Sequence, residues 1–178
     1  MKKLIQGCKE QDRDAQEKLY HKFAPKFFTL CLKYSSNYEQ AKDTLQEGFI
    51  RIFQNISQYK GKGTFEGWMT RIIINTALKE YQNKSVFLSI TDDFMEEPEV
   101  EVDEDELTVE YLIQLVQELP ERYRLVFNLY VMEGYAHKEI AKMLNITEGT
   151  SKSNLSRARQ KLKERLENVN KDKSAPGL

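Results

Sequence analysis

Cysteine and histidine are almost absent from this chain of 178 residues, which has two of each. Cys8 and Cys31 lie on separate segments and lack the paired Cys/His spacing of a zinc site, so they are expected to be buried or idle thiols. His21 and His137 are far apart in sequence, and no serine or cysteine near them forms a nucleophile motif, which argues against an enzyme. The eight glycines fit neither nucleotide-binding template, so no phosphate cradle is expected. Long apolar runs are missing too: a stretch such as VFNLYVM is far too short to span a bilayer. The N-terminus, MKKLIQGCKEQDRD, has two lysines followed by only a short apolar patch, so no secretory signal is expected. These absences together predict a cytoplasmic protein with no cofactor, no metal and no direct membrane insertion.

Charge is abundant and unevenly placed. The net charge of −1 conceals +6 over residues 1–84, −12 over 85–118 and +5 over 119–178. Two basic blocks flanking an acidic one suggest faces for a polyanion, although for charge runs alone ordinary solvation is the simpler account.

Hydrophobic periodicity predicts an all-α fold of two small domains joined by a flexible linker. Leu19, Phe23, Phe27, Leu30, Cys31 and Tyr34 recur at helical spacing, with Pro25 expected to kink or split the helix. Ala41, Leu45, Phe49, Ile52, Phe53 and Ile56 give a second helix with Asn37 as its N-cap. After the break YKGKG, Thr64 can cap a third helix carrying Phe65, Trp68, Met69, Ile72, Ile73, Thr76, Ala77 and Leu78. This predicts a first domain over 1–84. Residues 85–106 lose the periodicity and accumulate carboxylates around Pro98, as an acidic flexible linker does. A second domain over 107–167 starts with a helix lined by Leu107, Tyr111, Leu112, Leu115 and Leu119. Another follows between Pro120 and Gly134, and a disordered tail is expected over 168–178.

The last helix of the second domain begins with an odd composition, NITEGTSKSNLS, rich in residues that favour caps and turns. Ile140, Ala141 and Leu144 line the helix before it, NIT makes a tight turn, and Ser151, Leu155, Ala158, Leu162 and Leu166 line the next. The spacing is that of a helix-turn-helix. Opposite the apolar stripe lie Gly149, Thr150, Ser153, Ser156, Arg157 and Gln160, with Lys152 and Arg159 on the flanks. Small hydroxyl residues and glycine let such a helix start approach DNA closely, with Thr147 as N-cap. Ser153, Ser156, Arg157 and Gln160 suit base edges, while Lys152, Arg159 and Lys161 suit phosphates.

The segment LPERYRLVFNLYVMEGYAHKEIAKMLNITEGTSKSNLSRARQKLKE resembles region 4 of bacterial sigma factors of the extracytoplasmic-function (ECF) group of the sigma-70 family. AKDTLQEGFIRIFQNI resembles their region 2.2, and FEGWMTRIIINTALKEYQNK their regions 2.3 and 2.4, with Trp68, Arg71 and Asn75 in the W-x-x-R-x-x-x-N frame. The resemblance implies a sigma factor: a dissociable, non-enzymatic subunit that directs core RNA polymerase to promoters. Region 2 then opens the minus-ten element and the region 4 helix-turn-helix reads the minus-thirty-five element. By similarity, Asp43, Gln46 and Glu47 dock on the clamp helices of the largest polymerase subunit, and the flap of the second-largest subunit is a further contact. A membrane-bound anti-sigma factor, which many relatives have, is the remaining partner expected.

For the opened strand, stacking groups and amides near basic side chains are needed. Tyr59, Phe65, Trp68 and Asn75 supply the former, and Lys60, Lys62, Arg71, Lys79 and Lys84 the latter. Helical spacing sends Phe65 and Trp68 toward the core, which leaves Tyr59 and Asn75 at the loop edge as the better base-capturing groups. The chain departs from the family pattern at Ser151, where a branched apolar residue is common, and at Asn154, where arginine is frequent. A dimeric helix-turn-helix regulator is the competing reading; it explains the second domain and leaves the first as mere core.

Overall fold

The computed structural model describes residues 1–35, 37–87 and 109–172, all helix, turn or loop with no strand among them. The chain divides into two compact units, Met1–Leu88 and Ser89–Leu178.

In the N-terminal unit, α1 (Lys2–Lys9) packs on α2 (Arg13–Tyr34), which packs with α3 (Tyr38–Asn55) and α4 (Phe65–Phe87). Short polar side chains set the helix starts. Asp12 Oδ1 accepts from Asp14 N at 2.9 Å, Asn37 Oδ1 from Gln40 N at 2.8 Å and Thr64 Oγ1 from Gly67 N at 3.0 Å. The apolar stripes expected from spacing meet in one core. Leu19, Phe27, Cys31, Ile52, Met69, Ile73 and Ile74 are wholly or almost wholly buried, each large aliphatic or aromatic side chain contributing about 1.5–3 kcal/mol of transfer free energy. Gly48 lets α3 come close to α4, because a Cβ at that position would overlap Cδ1 of Ile73.

Pro25 neither splits nor ends α2, which is continuous to Tyr34. Its ring lies on the exposed side, where water can take the carbonyl that loses its N–H partner, and Thr29 Oγ1 donates to Pro25 O at 3.2 Å. Nor does the third helix stop at residue 84. It runs to Phe87, since no glycine or proline interrupts the chain there, so three residues expected in the linker are helical. Residues 88–106 of the expected linker, and Leu107, lie outside the described residues.

The C-terminal unit comprises α5 (Val109–Gln117), α6 (Glu121–Phe127), a π-helical turn (Asn128–Met132), α7 (His137–Leu144) and α8 (Glu148–Asp172). α8 is the centrepiece against which α5, α6 and α7 pack. Leu115, Val116, Leu119, Leu125, Val126, Leu129, Ile140, Leu144, Leu155 and Ala158 form its core. Leu112 departs from expectation: it is 43% exposed, because among the described side chains of α5 the buried ones, Leu115 and Val116, lie in its C-terminal half. Helix α8 also continues to Asp172, five residues into the expected disordered tail, as no helix breaker precedes Pro176. Residues 173–178 lie outside the described residues.

Candidate nucleic-acid interfaces

Local chemistry fixes the geometry of the helix-turn-helix. Asn145 closes α7 in the left-handed conformation, φ 54°, which asparagine tolerates better than most residues. Thr147 Oγ1 then accepts from Thr150 N at 3.0 Å and pairs with Thr150 Oγ1 at 2.8 Å, capping α8. At the other end of α7, the Glu139 carboxylate accepts from Ala136 N at 3.0 Å.

On α8, Ser151, Asn154, Leu155 and Ala158 face inward, and Leu162 and Leu166 are half-buried. Gly149, Thr150, Lys152, Ser153, Ser156, Arg157, Arg159 and Gln160 are all exposed. Folding therefore presents the expected DNA-facing strip together on one element. Besides Thr150, which pairs with Thr147, three of its members have partners within α8: Ser153 Oγ donates to Thr150 O at 3.0 Å, Gln160 Nε2 to Glu164 Oε1 at 2.9 Å, and Lys152 Nζ lies 2.9 Å from Glu148 Oε1. The Lys152 ammonium holds the Glu148 carboxyl below its usual range. Such exposed pairs contribute little and yield readily to a phosphate.

Two features of this unit had no signal in the sequence. Arg124 is buried on α6 and its Nη1 donates to Gln117 O at 2.8 Å, tying the C-terminus of α5 to α6; burial pulls its pKa down, opposed by Glu121. Ser151, which lies in the apolar stripe of α8, is fully buried with its Oγ 2.9 Å from Nδ1 of His137. That bond answers how a hydroxyl is tolerated in the stripe.

In the N-terminal unit, the loop before α4 is closed by Tyr59, whose Oη donates to Gly63 O at 2.9 Å. Gly61 and Gly63 adopt φ of 77° and 76°, a backbone that side chains rarely allow. The Tyr59 ring stands 5.0 Å from that of Phe65 and 5.7 Å from that of Trp68, and Phe65 and Trp68 stack at 5.6 Å. Phe65 is core, Trp68 and Tyr59 are half-buried, and the loop residues Lys60 and Lys62 are exposed. Along α4, Arg71, Asn75 and Lys79 are exposed and share with Trp68 an arc of about 80°. The structure thus gathers an aromatic cluster, an amide and basic side chains along one helix face and its leading loop. Lys84 falls within α4, but its side chain is outside those described. A long-range bond with no sequence signature steadies the loop: Lys9 Nζ of α1 donates to Tyr59 O at 3.0 Å.

Asp43, Gln46 and Glu47 are exposed on α3, and Glu47 Oε1 accepts from Arg51 Nε at 2.7 Å. Three residues beyond Glu47 and on the same side of α3, Ile50 is 45% exposed, which the apolar periodicity gave no reason to single out.

No group of three or more metal-ligating side chains occurs among the described residues, and none of the described helices is long and apolar enough to cross a membrane. Residues 19–86 match the sigma-70 region 2 family model, and residues 109–162 match the model for sigma-70 region 4. The ECF RNA polymerase sigma factor SigW of Bacillus subtilis is 27% identical over 186 residues, covering 95% of this chain and 98% of the relative. The corresponding SigE of Mycolicibacterium smegmatis is 30% identical over 157 residues, covering 84% of this chain and 61% of the relative. Among solved structures, the sigma factor RpoE in complex with the anti-sigma factor NepR from Bartonella quintana matches with a TM-score of 0.54 at 19% identity, covering 85% of this chain and 96% of that one. CnrH in complex with the cytosolic domain of CnrY matches with a TM-score of 0.51 at 16% identity, covering 93% and 96%. These two show the fold. With region 2 and region 4 models matched in order and ECF sigma factors as relatives over nearly the whole chain, the protein belongs to the ECF group of the sigma-70 family, non-enzymatic factors of promoter-specific transcription initiation.

Proposed function

We propose that this chain binds core RNA polymerase, opens promoter DNA with its N-terminal unit and reads the duplex upstream with α8. The observation that carries the reading is the exposed strip Thr150, Ser153, Ser156, Arg157 and Gln160 on the second helix of a helix-turn-helix, in a chain that also bears region 2. Its small central side chains let the helix sit deep in the major groove of the minus-thirty-five element. There Arg157 can donate twice to a guanine, the amide of Gln160 suits adenine, and Lys152 and Arg159 meet phosphates.

At the minus-ten element, a base leaving the stack needs a ring to lie on and an amide to read its edge. Asn75 is the exposed amide on α4, and Tyr59 and Trp68 are half-buried rings about two turns away at the start of the same face, with Lys60, Lys62, Arg71 and Lys79 supplying positive charge for the strand. Asp43, Gln46 and Glu47 form the docking face for the clamp helices of the largest polymerase subunit, and the C-terminal unit meets the flap of the second-largest. One solved neighbour, the sigma factor RpoE, is in complex with an anti-sigma factor, which supports a regulator of that kind here.

Run-off transcription tests this. Core polymerase plus the chain should initiate at a defined site on a subset of a promoter library. Arg157→Ala should lower discrimination among minus-thirty-five sequences, and Lys152→Ala should weaken all of them alike. Absence of initiation together with retained operator-like binding to plain duplex would favour a helix-turn-helix regulator that works without polymerase.

A further inference from the structure

We infer that Tyr123 and Tyr130 are positioning residues that hold Arg157 and Arg159 ready for DNA, the first through its hydroxyl and the second through its ring. The inference rests on the reading of α8 as the promoter-reading helix and assigns two residues outside that helix to its specificity.

Arg157 and Arg159 are two positions apart, hence about 200° apart around α8, on opposite flanks of the strip formed by Gly149, Ser153, Ser156 and Gln160. A long exposed side chain loses rotamer freedom when it is fixed against a partner, which costs roughly a two- to tenfold factor in affinity for each one immobilised. A side chain already held in the free protein loses less.

Both arginines are held. Arg157 Nη1 donates to Tyr123 Oη at 3.3 Å, and the half-buried Tyr123 stands on α6, which packs along α8. The bond uses one of the five guanidinium donors, so the fork that grips a guanine edge stays available. The Arg159 guanidinium carbon lies over the Tyr130 ring, 5.9 Å from its centroid, within the range of a cation–π contact. Tyr130 is itself immobilised although partly exposed. Its ring stacks on His137 at 4.5 Å and 21°, and His137 Nδ1 meets the buried Ser151 Oγ at 2.9 Å. The chain of contacts Arg159, Tyr130, His137, Ser151 therefore begins and ends on α8, with α7 and the π-helical turn locked in between.

The two tyrosines act by different chemistry on arginines with different tasks. Loss of the Tyr123 hydroxyl frees a base-reading group, so preference among sequences falls. Loss of the Tyr130 ring frees a phosphate-binding group, so affinity falls on every sequence while the salt dependence, which counts phosphate contacts, is retained.

The test uses holoenzyme reconstituted from the full chain and core polymerase. Duplexes randomised over the upstream element are enriched on the wild type, and the winner and a scrambled duplex are then titrated with each variant at several salt concentrations. Tyr123→Phe should reduce the ratio of the two affinities about three- to tenfold and add no further loss in an Arg157→Ala background. Tyr130→Leu should weaken both duplexes about threefold, with the ring-retaining Tyr130→Phe restoring the loss and an Arg159→Ala background removing the effect. If Arg157→Ala abolishes preference while Tyr123→Phe keeps it, or if Tyr130→Leu acts equally with and without Arg159, the positioning roles are overturned and the promoter reading stands. If the wild type enriches no sequence, the promoter reading falls and takes this one with it.

Discussion

Replacing Gly48 by alanine puts a methyl group into the contact between α3 and α4, where it overlaps Cδ1 of Ile73, a fully buried side chain that cannot swing out into solvent. Overpacking of this kind costs about 1–3 kcal/mol, whereas exchanging glycine for alanine inside a helix returns about 1 kcal/mol. The net expectation is a loss of up to about 2 kcal/mol. Ile73→Val removes the overlapping atom at an expected cost of about 0.5–1.5 kcal/mol. The next atom of Ile73 from Gly48, Cγ1, lies at 3.6 Å, an ordinary contact. In that background the sign should therefore reverse, with Gly48→Ala stabilising by up to about 1 kcal/mol. The chain has one tryptophan, Trp68, and it lies in the N-terminal unit, so urea unfolding followed by its fluorescence reports that unit alone. Equal effects of Gly48→Ala in the two backgrounds would refute the steric argument. The contact also sets the distance between the proposed polymerase-docking face, Asp43, Gln46 and Glu47 on α3, and the proposed strand-binding face with Asn75 on α4.

Thr147→Ala removes the cap of α8 and should destabilise the C-terminal unit by about 1 kcal/mol, lowering its Tm by about 4–8 °C in circular dichroism; an unchanged Tm removes the cap from the account. Burial pushes the Cys31 thiol up to about 12 from 9.0, so it should resist iodoacetamide at pH 8 until urea unfolds the N-terminal unit. Because the unfolded chain releases this proton first, stability should fall between pH 9 and 12 by up to about 1.4 kcal/mol per unit, and Cys31→Ala should flatten that slope. Ile50→Ser should weaken binding to core polymerase about five- to tenfold in a pull-down titration while leaving Trp68-monitored stability unchanged, since half of that side chain is already in water.

Helices were legible wherever a stripe and a cap agreed. Asn37, Thr64 and Thr147 act as the caps their positions suggested, because a side-chain acceptor two or three residues before a free amide is a local matter. Boundaries were less legible. The ends of α4 and α8 run past expectation because charge and composition, not a helix breaker, had marked them. Ile50 and Leu112 show a second limit: periodicity finds apolar residues but not which of them lacks a neighbour.

The sequence by itself determined that this protein is helical, that its charge lies in three blocks, and that Thr150, Ser153, Ser156, Arg157 and Gln160 share one face, since spacing along a helix fixes those relations without reference to the rest of the chain. Only the tertiary structure decided what stands beside that face. Tyr123 lies 34 positions from Arg157, His137 lies 14 from Ser151, and Lys9 lies 50 from the Tyr59 carbonyl it binds. Contacts between separate helices depend on how their ridges and side chains fit once packed, and no periodicity in a single segment encodes that fit.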